Sequence, residues 1–413
     1  MSVTSILQET KAAAPSLGRA NTKKKNDILE LIAESLIEHS ARIIAANSLD
    51  LANGEASGLS KGLIDRLTLT EDRISGLASA VRDVIALPDP VGEIVRGKTL
   101  PNGIRLAQVR VPFGVIGCIY EARPNVTVDI AALAIKSGNA AVLRGGSAAE
   151  QTNRVLVSVI QECLERCGLE PAAVSTVDEF GREGAVAMMQ ARGYVDVLIP
   201  RGSANLIQTV VNESKVPVIE TGDGVVHLFV DESADLQKAV PIIVNSKAQR
   251  PSVCNALETL LVHEAVAQEL FSSLAPALDE AGVTVHGCAR TQELIACVAA
   301  TDADWSTEYY SLDLSVRVVP SLDGALEHIG KYSTRHTESI LTESVANADR
   351  FLMEVDSAAV MVNTSTRFTD GGEFGFGAEV GISTQKMHAR GPMGLPELTS
   401  TKWLIRGDGQ VRG

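Results

Sequence analysis

Cys254 stands in the run SKAQRPSVCNALETLLV (246–262), between an Arg-Pro-Ser turn and a strand-like apolar stretch. A thiol is a nucleophile only as thiolate, and nearby cations favour that form. Lys247 and Arg250 lie just upstream. The other five cysteines are placed differently: Cys118 sits inside an apolar strand-like run, Cys163 and Cys167 on a helical stretch, and Cys288 and Cys297 lack an adjacent basic pair. Such cysteines ordinarily act as small hydrophobes. Glu220, in PVIETGDG, ends a strand-like run 34 residues before Cys254 and meets a Gly-Asp-Gly turn. Ligands collect at the carboxyl ends of strands in doubly wound sheets. A strand-end carboxylate and a loop thiol on either side of one helix can therefore face one cleft. The plain alternative for Glu220 is a solvated carboxylate.

A second kind of chemistry is suggested by glycine-serine turns. LRGGSAA (143–149) follows a strand-like run and opens a helix, and PRGSAN (200–205) repeats the device. Backbone N–H groups at a helix start suit a phosphate. No G-x-G-x-x-G follows any strand, so the usual dinucleotide fingerprint is missing. An NAD site usually carries an acidic residue at the strand end; here that place holds Arg144, Gly145, Gly146 and Ser147. A cation without a carboxylate suits a 2′-phosphate, hence NADPH. Gly202 and Ser203 are the matching residues of the second turn.

The elements that position these residues follow from periodicity. Residues 1–90 read as helices, with Asn21-Thr22 as a start and Asn53-Gly54 as a stop. Two strands flank Pro101-Asn102-Gly103 as a hairpin. From Phe113 strand and helix alternate: GVIGCIYE, AAVLRG, VDVLIP and VPVIE as strands, with VTVDIAALAIKSGN, SAAEQTNRVLVSVIQECLERCG and ANLIQTVVNES as helices. A second alternation starts near 230, with LETLLVH and VTVHG as strands, and a glycine-rich segment begins near 365. This rhythm predicts α/β units with parallel sheets, helices on both faces.

Composition narrows the function classes. At 413 residues the chain is long enough for two or three packed units, and 45% hydrophobic residues supply their cores. A formal net charge of -14 argues against nucleic-acid or anionic-membrane binding. No apolar run approaches the roughly 18 residues of a membrane span. Scattered cysteines form no disulfide framework, and no spacing argues for a metal. A cytoplasmic protein with reduced thiols is expected.

Taken together, Gly202-Ser203, Glu220 and Cys254 in that order resemble the aldehyde dehydrogenase superfamily. VPFGVIGCIYEARPNVTVDIAALAIKSGNAAVLRGGSAA, SKAQRPSVCNALETLLV and HARGPMGL are similar to the signature segments of its γ-glutamyl phosphate reductase family, and the likeness spans essentially the whole chain. The resemblance implies an aldehyde-dehydrogenase-like α/β fold. A Rossmann-type NADPH domain would cover 1–90 and 112–228, with a return segment near 345–365. A catalytic domain would cover 229–344, and an oligomerisation arm and tail 91–111 and 366–413. It implies that Cys254 is the nucleophile, that Asn125 supplies an oxyanion-stabilising amide, that Glu220 occupies the superfamily's glutamate position, and that Glu308 touches the nicotinamide ribose. Thr-Gly-Asp-Gly follows Glu220 where aldehyde-oxidising members have Leu-Gly-Gly-Lys. An acyl-phosphate reductase needs no base to activate water, so that role falls away.

The implied reaction is NADPH-dependent reduction of L-glutamyl 5-phosphate to L-glutamate 5-semialdehyde through a cysteine thioester, the second step of proline biosynthesis. Arg123, Lys247, Arg250 and Arg390 are candidate cations for the anionic substrate, with His388 beside the last. The exposed edges of a hairpin ask for a partner, so a homodimer or homotetramer is expected. A glutamate 5-kinase is a candidate partner, because acyl phosphates hydrolyse quickly. Oxidation of a small aldehyde, reduction of a shorter acyl phosphate, and a catalytically silent scaffold are the alternatives.

Overall fold

Five helices, Val3–Gly18, Thr22–Glu38, Ser40–Ala56, Lys61–Leu67 and Glu71–Ala86, precede the first strand in the computed structural model, which describes residues 2–121 and 123–412. Ser2, Asn21, Ser60 and Thr70 each accept a hydrogen bond from a first-turn N–H, a cap worth about 1 kcal/mol. The run read as one helix breaks at His39. The stop expected at Asn53-Gly54 comes later, because Gly54 lies inside its helix against Leu59 and Ile64. That packing outweighs the roughly 1 kcal/mol a helical glycine costs.

The foreseen hairpin is β1 (Ile94–Thr99) and β2 (Arg105–Pro112), turned by Gly103 at φ 86. β3 (Val115–Tyr120), β4 (Ala140–Arg144), β5 (Val174–Thr176) and β6 (Val197–Arg201) form a parallel sheet in the order β5-β4-β3-β6. The strand expected at VPVIE is only a single bridge, Leu198 to Val218. β7 (Val226–Val230), β8 (Leu257–His263), β9 (Thr284–Gly287), β10 (Val298–Ala299), β11 (Asp313–Val319), β12 (Thr337–Leu341) and β13 (Ala359–Val362) form a second parallel sheet in the order β10-β9-β11-β8-β7-β12-β13. β14 (Gly381–Ser383) pairs with β15 (Gly391–Met393), and β16 (Thr399–Arg406) joins β2 antiparallel, completing a three-stranded sheet with the hairpin.

The chain divides into two compact units: Met1–Glu220, Phe376–Gly381 and Met393–Gly413 in the first, Thr221–Gly375 and Ile382–Pro392 in the second. In the second unit, alternate residues of β7 and β8 enter opposite cores, as parallel sheets covered on both faces require. Leu260 and Val262 of β8 pack with Ala239 and Ile243 of the helix Leu236–Ala248 and with Leu270 and Leu274 of the helix Glu264–Glu280. Leu261 packs on the other face with Ile329 and Phe351.

Two boundaries differ from the sequence reading. The segment near 345–365 does not return to the first unit: the helix Val345–Glu354 buries Phe351 in the second unit's core, and β13 pairs with β12. The tail from 366 is not one arm either. Thr366–Gly375 and Ile382–Pro392 belong to the second unit, and only β16 joins the hairpin.

Candidate active site

The helix Leu236–Ala248 ends before Pro251, which cannot continue it, and the chain turns through Cys254 into β8. Every residue of β8 is buried. At about 1.5–3 kcal/mol for each large apolar side chain, that burial fixes the floor of the turn. Cys254 is half-buried and in no disulfide. Beneath it lies Gly224: a Cβ there would stand 1.6 Å from the Cys254 carbonyl oxygen and 2.9 Å from its Cα. Asn255 is clamped on the other side. Its Nδ2 donates to the carbonyls of Thr369 (2.8 Å) and Arg367 (3.4 Å), and Thr366 Oγ1 donates to the Asn255 carbonyl (2.8 Å). Gly224→Ala must therefore displace the Cys254 backbone. A shift of about 1 Å costs about 10²-fold in rate, and a loss of that size in kcat, with an unchanged circular dichroism spectrum, is the expected result.

Glu308 belongs to the same neighbourhood. The Gly224 N–H and the Tyr310 hydroxyl (2.7 Å) donate to its carboxylate. Burial, with smaller help from Asp223, nevertheless pushes it above the usual carboxylate range. Tyr310 adopts a left-handed conformation (φ 57), unusual for a bulky residue. Its hydrogen bond to Glu308 helps hold it there.

Lys247 is not available to a substrate. It and Glu258 are both fully buried and paired at 2.7 Å, with the ammonium 5.8 Å from the centre of the Tyr309 ring. Burial pushes Glu258 up to about 8 and holds Lys247 below the usual lysine range. The Tyr309 N–H also donates to the Glu258 carboxyl. The pair thus anchors the Glu308–Tyr310 turn from below, and the expectation that Lys247 holds substrate is corrected. The reason is chemical: a glutamate in a fully buried strand needs a cation.

Arg390 is likewise engaged, its Nη2 donating to the Asp356 carboxylate (2.9 Å) and carbonyl (3.1 Å); that ion pair sets it aside as a substrate ligand. His388 and Arg250 are exposed. Sequence reasoning missed Arg367, half-buried in the segment that clamps Asn255, and no local pattern marks it.

The first unit holds the remaining residues. Asn125 lies exposed in the first turn of the helix Pro124–Lys136, its Nδ2 donating to Asp129 (3.1 Å), and Arg123 caps that helix without a side-chain cap bond. Burial pushes Asp129 up to about 6. Glu220 accepts a hydrogen bond from Gln208 Nε2 (3.0 Å). In the turn after β4, the Gly145 N–H is taken by Asp178 Oδ1 (2.7 Å), whose other oxygen accepts from Asn153 (3.0 Å). A buried carboxylate therefore sits where a cation alone was expected. Arg144 donates through Nε to the Gly181 carbonyl (3.2 Å), and Gly146 opens a short 3₁₀ turn from Ser147 to Ala149. The second turn also has a carboxylate beside it. Ser203 starts the helix Ala204–Glu213 without capping it, its hydroxyl instead donating to Glu121 (2.6 Å). A Cβ on Gly202 would stand 2.7 Å from the Glu121 carboxyl carbon. Glu121, at the end of β3, is a second residue that sequence reasoning missed; its place at a strand end was the available signal. Among the described residues no group of His, Cys, Asp and Glu could hold a metal ion, and no helix is long and apolar enough to cross a membrane.

A parallel-sheet unit with uncapped Gly-Ser helix starts, and a second with a cysteine held in a turn before a buried strand, define the aldehyde dehydrogenase class; the aldehyde dehydrogenase family model matches residues 1–311. The γ-glutamyl phosphate reductase of Leifsonia xyli subsp. xyli is 63% identical over 100% of this chain and 98% of its own length. That of Thermobifida fusca is 57% identical, over 99% and 98%. The crystal structure of the Thermotoga maritima γ-glutamyl phosphate reductase superposes with a TM-score of 0.98 at 48% identity, covering 100% of both chains. An acetylating aldehyde dehydrogenase from Geobacillus thermoglucosidasius shares the fold, with a TM-score of 0.73 at 18% identity. The chain belongs to the aldehyde dehydrogenase family and, within it, to the γ-glutamyl phosphate reductases.

Proposed function

We propose that this protein reduces L-glutamyl 5-phosphate to L-glutamate 5-semialdehyde with release of phosphate, in the biosynthesis of proline, through a thioester on Cys254. The observation that carries the reading is the Cys254 turn, fixed from below by Gly224 and from the side by Thr366 and Thr369. A nucleophile that splits one difficult step into two must hold one geometry through both. The Cys254 thiolate attacks the acyl carbon and phosphate leaves. The oxyanion needs donors, for which the Cys254 backbone N–H and the Asn125 amide are the candidates, each worth about 3–4 kcal/mol. Bound NADPH supplies the hydride that reduces the thioester. Gly202 and Ser203 cradle its phosphates, Arg144 and Ser147 meet the 2′-phosphate, and Glu308 meets the nicotinamide ribose. Protonation of sulfur as the thiohemiacetal collapses releases the aldehyde. Glu220 is not asked to serve as a base. Arg123, Arg250 and His388 are the candidate substrate contacts. The sheet of β1, β2 and β16, whose outer strands are largely exposed, serves a homodimer or homotetramer. The protein works in the cytoplasm, supplied by a glutamate 5-kinase.

The reaction run backwards tests this reading. With glutamate semialdehyde, NADP and inorganic phosphate, steady formation of reduced nicotinamide that requires phosphate is expected. Equal turnover without phosphate would move the protein to the aldehyde-oxidising class, and no turnover in either case would remove the substrate assignment.

A further inference from the structure

The segment beside the Cys254 turn is built to hold one guanidinium. Ser365 Oγ donates to Asn245 Oδ1 (2.7 Å), the Thr366 N–H donates to Ser246 Oγ (3.2 Å), and Thr366 Oγ1 donates to the Asn255 carbonyl (2.8 Å). These bonds lock the Arg367 backbone to the helix Leu236–Ala248 and to the residue after the nucleophile. The side chain is oriented as well: Arg367 Nε donates to Gln249 Oε1 (2.8 Å). Among the described residues, no hydrogen bond reaches its two Nη groups, so the outer edge of a pre-set fork is presented. Such a fork matches a phosphate, and less is lost on binding when it is already oriented.

Charges of both signs surround it. The groups acting on the Arg367 guanidinium are Asp370, Arg250, Cys254 and Glu373, and burial holds it below the usual arginine range. Asp370 Oδ1 is already turned to the Gly372 N–H (2.8 Å) and the Glu373 N–H (3.4 Å) of its own loop. Arg250 and Arg367 repel each other near a thiol, and a dianion between them would turn that repulsion into attraction.

We infer that Arg367 binds the phosphate group of the acyl-phosphate substrate, with Arg250 as the second cation of that subsite. The inference rests on the function proposed above. The phosphate is the group concerned because its oxygen is bonded to the carbon that Cys254 attacks, whereas the α-carboxylate is at the opposite end of the carbon chain. In the forward step the C–S bond forms, the C–O bond to phosphate breaks with its electron pair going to oxygen, and the departing phosphate takes one proton from solvent. In reverse, phosphate oxygen attacks the thioester carbon and the electron pair of the C–S bond returns to sulfur as thiolate. Arg367 neutralises phosphate charge in both directions.

The test uses the whole protein in the reverse direction, with inorganic phosphate as the probe and Arg367→Gln and Arg367→Lys beside wild type. The first turnover makes the thioester and one equivalent of reduced nicotinamide without phosphate, and later turnovers need phosphate to remove the acyl group. Arg367→Gln is expected to keep the first-turnover burst and to raise the KM for phosphate about 10–100-fold, the usual effect of losing a charged hydrogen bond. Arg367→Lys is expected to fall between, since it keeps the charge and loses the fork. If Arg367→Gln does not fold, judged by its melting curve, Arg367→Lys is read alone by the same criterion. An unchanged KM for phosphate overturns the inference. So does a loss of burst and phosphate saturation together, which would mark a structural role. Wild type without phosphate dependence fails the proposed function itself, an outcome visible before any variant is made.

Discussion

Cys254→Ala is expected to lower kcat/KM by at least about 10⁴-fold, because on the proposed mechanism the variant lacks the atom that bonds to substrate. The turn itself should survive. Its geometry is set by Gly224 and by the bonds to Asn255, none of which uses the thiol. Binding of the nicotinamide cofactor followed by fluorescence quenching, and the thermal melting curve, should therefore stay near wild type. Cys118→Ala supplies the contrast. That thiol is fully buried in β3, where burial pushes it up to about 12. Its loss should lower stability by about 1 kcal/mol, the cost of a small cavity, and leave turnover of the folded protein intact. Equal losses of activity in the two variants would contradict the assignment of the nucleophile.

The largest effect on stability is expected at Lys247. Lys247→Met leaves Glu258 buried with no cation, and breaking a buried pair in this way costs about 3–5 kcal/mol. Replacing both residues by apolar ones should recover most of that loss, since two charges then no longer need to be buried. Denaturant unfolding of the two single variants and of Lys247→Met/Glu258→Leu measures this coupling directly. Even where the double variant is stable, kcat should remain reduced, because the Tyr309 N–H loses its acceptor and the turn carrying Glu308 loosens. A double variant as unstable as the singles would show that the pair is not the source of the effect.

The pair also shows where sequence reading stops. The strand LETLLVH was legible to its last residue, and the turn carrying Cys254 followed from Pro251 and the strand's start. The glutamate inside that apolar run was the signal that a buried cation must exist, and Lys247, eleven residues earlier, was the nearest lysine. Read as a neighbour of Cys254, Lys247 looked like a substrate ligand; read as a partner for Glu258, it is part of the floor. Arg367 carried no such signal. Its carbonyl comes within reach of the Asn255 side chain only because β12 and β13 return the chain to the same sheet. The Gly145 turn looked like a phosphate cradle until the fold brought Asp178, 33 residues on, to its N–H. The helix stop misplaced at Gly54 has the same origin, since tertiary packing overrode a local preference. Short-range patterns thus gave the strands and the turn that carries Cys254, while the ion pairs and clamps depend on contacts across the sheet.

The most direct measurement is the mass of the trapped intermediate. Wild-type protein would be mixed with glutamate semialdehyde and NADP without phosphate, then quenched in acid. Acid keeps the substrate's amine protonated, so it cannot attack the thioester. A glutamyl adduct on the proteolytic peptide containing Cys254, removed by prior addition of phosphate and missing from Cys254→Ala, is the expected result. An unmodified Cys254 in protein that has reduced NADP, or an adduct on another residue, would contradict the account.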